Sequence, residues 1–251
     1  MYLTEPQSSH FSVDKFRRSS SRENQFDWDL YYRFKDQRER FWQNRLDADA
    51  AFRQAATEHF EAFHKSIKQT LSMLSPGPDV LDIGLSSEQL DRAILSNTAG
   101  TVAVVDLQQE AGRSYESAFA GRGSFFLSDV ITFSRDEVNA GRYDLVYSVG
   151  LLEHFPDKSE ILDAHVRLTK PGGLVLIYVP TDTPANRGFT KLAFEWENFG
   201  HRELLTPAEL ERACQHGDLD IIRAESVGFF SAVWARRRLS GVRSGTPGQS
   251  A

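Results

Sequence analysis

The chain has 251 residues, of which 40% are hydrophobic and 25% charged, a length and balance that suit one soluble α/β domain with an appendage or two small domains. Its 29 Lys+Arg against 35 Asp+Glu leave a net charge of −6, which argues against a dedicated nucleic-acid binder, since phosphate contacts need clustered cations. One cysteine, Cys214, excludes an intramolecular disulfide and any Cys-cluster metal site, and no metal is expected.

Residues 1–25 combine serine clusters with Arg17, Arg18 and Arg22 and read as a loose tail. The start, Met1-Tyr2-Leu3-Thr4-Glu5, lacks the charged and then apolar order of a secretory signal. No apolar run reaches the roughly 18 residues of a membrane span, so a cytoplasmic protein without a span is expected. From 26 to 75 the period is helical. Phe52, Ala56, Phe60, Phe63, Ile67, Leu71 and Leu74 share one face of a long helix, and Leu30, Phe34, Phe41 and Leu46 suggest another before it. We expect this segment to cap the domain that follows, with Trp28, Tyr31 and Tyr32 as acceptor contacts or plain helix packing.

Ser75-Pro76-Gly77-Pro78 stops the helical run, and the pattern then changes. Short apolar runs at 80–84, 102–106, 125–129, 143–148 and 174–180 alternate with helical segments near 87–96, 108–120 and 159–169. Such alternation predicts βαβ units and a parallel sheet. Thr206 and Glu209 form a capping box for a helix over 207–216. The runs 219–226 and 230–236 are joined only by Val227-Gly228-Phe229, too short for a parallel crossover, so they must pair as an antiparallel hairpin. From Ser240 the chain reads as a second loose tail, which leaves 76–239 as the main domain.

Four strand ends carry the chemistry. Asp82 and Gly84 close the first, and Gly84 lets backbone approach a ligand. Asp106, with Leu107 beside it, follows about 20 residues on, where a carboxylate can accept from both hydroxyls of a ribose or else cap the next helix. Asp129 and Val130 end the third, suited to the amine of a base. Ser148, Val149 and Gly150 end the fourth, followed by Glu153 and His154.

The run Tyr143-Asp144-Leu145-Val146-Tyr147-Ser148 with Leu152-Glu153-His154 after it, and the turn Leu168-Thr169-Lys170-Pro171-Gly172-Gly173, resemble the class I S-adenosylmethionine-dependent methyltransferases. The branch is that of ubiquinone and menaquinone biosynthesis, the type 11 methyltransferases. The likeness covers roughly 78–238. It implies a Rossmann-like sheet of order 3-2-1-4-5-7-6 with strand seven antiparallel, and S-adenosylmethionine held at the switch point between strands one and four. It also implies cofactor contacts at Asp82, Gly84, Ser86, Asp106, Leu107, Asp129, Val130, Ser148, Val149 and Gly150.

One departure stands out. Where the family has Asp-x-Gly-x-Gly-x-Gly, this chain has Asp82-Ile83-Gly84-Leu85-Ser86-Ser87-Glu88. Glu88 either points into the crevice, against the cofactor carboxylate, or out to solvent, and the second is expected. Glu153, His154 and His201 are the candidate general bases, and Phe189, Phe194, Trp196 and Phe199 form a substrate-covering or sheet-packing group. The leading reading is a methyltransferase, monomer or homodimer, acting on a small-molecule or glycan or lipid-precursor acceptor. The alternative is a non-catalytic binding or regulatory protein with a degenerate loop. A nicotinamide-dependent dehydrogenase would need the G-x-G-x-x-G turn, which is missing, and Arg236-Arg237-Arg238 reads as a solvated strand end.

Overall fold

The computed structural model describes residues 35–85, 88–109, 111, 112, 115, 119, 121–183, 186, 187 and 201–239. Both expected tails lie outside these residues, as do Trp28, Tyr31, Tyr32, Ser86 and the aromatic group at 189, 194, 196 and 199.

Two helices come first, α1 (Lys35–Ala48) and α2 (Ala50–Leu71). Asp49 caps α2 by accepting the Phe52 amide. The buried stripe of α2 is Ala56, Phe63, Ser66, Ile67 and Thr70, while Phe60, expected on the apolar face, is 43% exposed. Two hydroxyls displace that stripe because the sheet offers them partners. Ser66 shares a hydrogen bond of 2.9 Å with the Tyr178 hydroxyl, and Thr70 accepts from the Trp234 indole at 2.9 Å.

The rest is the alternating pattern: β1 (Asp79–Ile83), α3 (Glu88–Asn97), β2 (Thr101–Asp106), β3 (Gly123–Leu127), α4 (Val130–Arg135), β4 (Tyr143–Val149), α5 (Ser159–Leu168) and β5 (Thr169–Pro180). Then come α6 (Pro207–Ala213), β6 (Leu219–Val227) and β7 (Phe230–Arg237). The seven strands lie in the order β3-β2-β1-β4-β5-β7-β6. β7 runs antiparallel to both neighbours and the other pairs are parallel, as the short hairpin link requires. The six-residue helix α4 has no counterpart in the sequence reading, because one and a half turns carry too little periodicity to register.

Strand alternation sends Leu81, Ile83, Val105, Val146 and Ile177 to one face, packed by α5 and Leu210 of α6. Val80, Val104, Leu145, Tyr147 and Tyr178 go to the other, packed by Phe63 and Ile67 of α2 and by Leu90 and Ile94 of α3. The β6–β7 hairpin tip is pinned to α2 by His59, whose Nδ1 accepts the Phe229 amide at 3.0 Å and whose ring stacks on Phe229. Burial pushes the His59 imidazole down to about 4, so it stays a neutral acceptor at physiological pH. Since that tip lies at the carboxyl edge of the sheet, the turns of α2 before His59 extend beyond that edge, and Phe52 stacks on Phe229 there.

The arginines at the end of β7 are tied down. Arg236 donates to the Gly172 carbonyl, Arg237 to the Thr169 carbonyl, and Arg238 to Asp220 and the Gly217 carbonyl. They staple the amino edge of β5 and the start of β6 while Arg236 and Arg238 stay exposed, as expected of a solvated strand end.

Candidate active site

Gly84, Asp106, Asp129 and Gly150 follow the carboxyl ends of β1, β2, β3 and β4, and strand order reverses between β1 and β4, where open α/β sheets bind ligands. Gly84 has φ 76° and Gly150 φ 71°, conformations that only glycine adopts without strain. A Cβ added at Gly84 would meet no heavy atom of the described residues within 4 Å. The backbone there faces open space.

Asp106 is 4% exposed. Its Oδ2 accepts the Leu85 amide at 3.0 Å and its Oδ1 the Gln108 amide at 2.7 Å. The carboxylate thus fastens the first loop to the second strand end as well as capping the following segment. Leu107 and Leu127, 49% and 58% exposed beside it, offer apolar surface for a base. Asp129 caps α4 through the Thr132 amide at 3.0 Å, and Val130 is buried behind it.

Two of the expected contacts turn their side chains away from this edge. Asp82 has no exposed surface and lies under α3, on the face with Tyr147 and Asp91. Ser148 is equally buried and bonds His165 Nε2 at 3.0 Å, while His165 Nδ1 donates to the Ile161 carbonyl at 2.7 Å. Burial holds that imidazole down at about 4. Val149 is buried as well, so of this trio Gly150 alone is well placed to meet a ligand.

Glu88 points outward. Its Oε2 accepts from both Nε and Nη2 of Arg92, one turn down the helix, at 3.1 and 2.5 Å. Its charge is therefore offset by a cation instead of standing in the crevice, and at the first turn of α3 it also suits the helix dipole. The Arg92 guanidinium lies over the Phe119 ring.

After β4 the chain makes one 3₁₀ turn, Leu152–His154, that buries all three of its residues. Glu153 is 1% exposed, and its Oε1 lies 3.5 Å from where a Cβ on Gly150 would stand. Its Oε2 has no hydrogen-bond partner among the described residues. Burial raises this carboxyl to about 7 against the pull of Arg202 and Lys158. The neighbouring His154 has Nδ1 3.2 Å from the His201 carbonyl, so that nitrogen carries the proton, and Nε2 stands 3.6 Å from Glu153 Oε1. Burial and the Arg202 charge push His154 down to about 3.

His201 itself turns to Glu203 at 2.9 Å, and Glu203 also holds Lys158 at 2.7 Å. The Glu203 amide donates to the Glu153 carbonyl at 3.1 Å, which closes the segment after β5 onto the turn after β4. Glu153, His154 and His201 are therefore brought together, but with different capacities. Sequence reasoning missed Arg202 and Lys158, which face Glu153, and Asp91 and Tyr147, which face Asp82. Asp91 carried a signal: it stands between Leu90 and Ile94 on the buried stripe of α3. Among the described residues no group of three or more His, Cys, Asp or Glu is placed to hold a metal ion, and no helix is long and apolar enough to cross a membrane.

Residues 59–224 match the protein family described as a methyltransferase domain. The chain is 26% identical over 158 residues to the ubiquinone biosynthesis O-methyltransferase of Psychrobacter arcticus, covering 58% of this chain and 60% of that protein. It is 25% identical over 174 residues to the enzyme of that name from Psychrobacter cryohalolentis, covering 64% of this chain and 65% of the relative. It thus spans less than two thirds of the length of either. Among solved structures, the 1,6-didemethyltoxoflavin-N1-methyltransferase of Burkholderia thailandensis, solved with 1,6-didemethyltoxoflavin and S-adenosylhomocysteine, superposes with a TM-score of 0.56. At 18% identity, over 84% of this chain and 90% of that one, it shares the fold.

Proposed function

The chain belongs to this family of methyltransferase domains, and on that premise we propose that it moves a methyl group from S-adenosylmethionine to a hydroxyl of a small-molecule or glycan or lipid-precursor acceptor. The observation that carries the reading is the spacing of open glycine, ribose-type acid and buried glutamate along one strand edge: Gly84, Asp106 and Glu153. Methyl transfer from a sulfonium needs little covalent help from protein, so most of the catalysis is alignment of donor and acceptor. S-adenosylmethionine supplies the electrophilic methyl when bound. The chain's residues would hold its ribose at Asp106, its base against Leu107 and Leu127, and its amino-acid end over Gly84 and Gly150.

The acceptor hydroxyl must lose a proton as it is methylated. Glu153 suits that role, because a base titrating near 7 is half ionised at physiological pH and strong enough to take the proton. His154, held neutral with its proton toward the His201 carbonyl, serves poorly as a base itself. That the Psychrobacter relatives are named O-methyltransferases supports a hydroxyl acceptor. The outward Glu88–Arg92 pair removes the main objection to cofactor binding that the altered loop raises, and so favours this reading over a non-catalytic one.

The test is S-adenosylhomocysteine production from S-adenosylmethionine with a panel of catechols, phenols, sugar alcohols and amines. Acceptor-dependent product that disappears in Glu153→Gln supports the reading. Methylation confined to amine acceptors and unaffected by that substitution would overturn the assignment of hydroxyl chemistry and of Glu153.

A further inference from the structure

Asp82 and Asp91 are both wholly buried, on the end of β1 and on the first turns of α3. The Tyr147 hydroxyl donates to Asp91 Oδ1. Among the described residues, neither oxygen of Asp82 and not Oδ2 of Asp91 receives a donor. Three acceptor atoms sealed from water without a donor are costly, and two ionised carboxyls side by side cost more. A carboxyl becomes a donor when it is protonated, and one proton between two such groups satisfies an oxygen on each.

We propose that Asp82 and Asp91 share one proton, and that this proton makes Asp91 a positioning residue which ties α3 to the end of β1 and so holds Gly84 and Leu85 at the floor of the crevice. The inference rests on the proposed cofactor reading for its consequence, and on the burial and unmet acceptor atoms of the two carboxyls for the proton. Among the described residues, the charged and titratable groups that face the pair are Tyr147 from β4, Asp106 from β2, Glu88 and Arg92 from α3, and Tyr115. Arg92 is the one cation among them, and its guanidinium is engaged by Glu88. Nothing in that set compensates a second negative charge. Burial first, and then the charge of Asp91, raises Asp82 well above the usual carboxylate range, and burial raises Asp91 too. Loss of the shared proton at alkaline pH therefore sets like charges against each other beneath the loop, and α3 loosens from β1.

The experiment compares native protein with Asp91→Asn, whose amide is a permanent donor to Asp82 and cannot ionise. Melting temperature without ligand is followed from pH 6 to 9.5, and S-adenosylhomocysteine affinity is measured by calorimetry at pH 6.5 and 9. Glu153 also loses its proton in this range, so the difference between the two profiles is the readout. The native melting temperature should fall on the alkaline side relative to Asp91→Asn, and native affinity should weaken tenfold or more at pH 9 while the variant's holds. Superimposable profiles would overturn the shared proton. If Asp91→Asn fails to fold, Asp82→Asn makes the same comparison with the donor on the other side. Absence of any S-adenosylhomocysteine heat at pH 6.5 would overturn the cofactor reading and the positioning role with it, while the ligand-free melts still decide the proton.

Discussion

Two buried acid clusters flank the crevice, and their neighbours set them apart. Under β1, Asp82 and Asp91 meet each other and a tyrosine hydroxyl. After β4, Glu153 is buried just as deeply but faces Arg202 and Lys158. Burial raises all three carboxyls, Asp91 and Glu153 each to about 7. Arg202 and Lys158 moderate it at Glu153, while at Asp91 the one moderating cation, Arg92, is itself engaged by Glu88 and a second carboxyl stands alongside. In the first cluster two carboxyls face each other, so one proton is kept between them and serves as a fastening. The second reaches a balance near 7, where a carboxyl can take a proton and give it up. Equal burial yields a lock on one side and a base on the other because the partners differ.

The sharpest way to break that contrast is Glu153→Gln, which keeps the shape and removes the base. We expect kcat to fall by about 10²–10⁴-fold with cofactor affinity unchanged, measured by steady-state kinetics and calorimetry. In native enzyme kcat/KM should rise with pH through about 7, since the base must be ionised. A variant with native kcat would assign Glu153 to packing.

The same carboxyl sharpens the comparison through stability. Its folded value of about 7 stands above the ordinary 4.5, so its contribution is fully present below pH 4.5 and is lost as pH rises through about 7. Denaturant melts of native protein beside Glu153→Gln should diverge across that window by up to about 3 kcal/mol, at roughly 1.4 kcal/mol per unit of pKa difference. Parallel pH profiles would show that Arg202 and Lys158 fully neutralise the group.

Between the clusters lies Asp106, whose two oxygens accept the Leu85 and Gln108 amides. Asp106→Ala should weaken cofactor binding by about 1.5–3 kcal/mol, the range for hydrogen bonds to a charged group, in a chain that still folds. An unchanged affinity by calorimetry would reduce it to a loop tie and a cap.

Much of this was legible in the sequence. Alternating apolar runs and one link too short for a crossover pointed to a parallel sheet with one reversed strand, the full strand order came from the family resemblance, and Glu153 and His154 followed from their place after the fourth strand. Side-chain direction was not legible. Asp82 and Ser148 stand at the right strand ends, yet each occupies a pleat position that turns it into a face of the sheet. Pairings between distant residues, such as Asp82 with Asp91 or Glu153 with Arg202, depend on how helices settle on the sheet, which periodicity does not encode. The outward turn of Glu88 was legible in part, since Arg92 stands four residues on.

That pair supports the smallest expected effect. Replacing Ser86 and Glu88 together by glycine removes an exposed ion pair and adds backbone entropy, so we expect up to about 1 kcal/mol of destabilisation and cofactor affinity within about threefold of native. Tightening by tenfold or more would mean that the native loop obstructs the site.

The central claim is that the edge between β1 and β4 holds S-adenosylmethionine. Calorimetric titration of native protein with S-adenosylhomocysteine near neutral pH tests it most directly. One site per chain with micromolar affinity is the result this account predicts, and no heat and no thermal shift at millimolar ligand would contradict it.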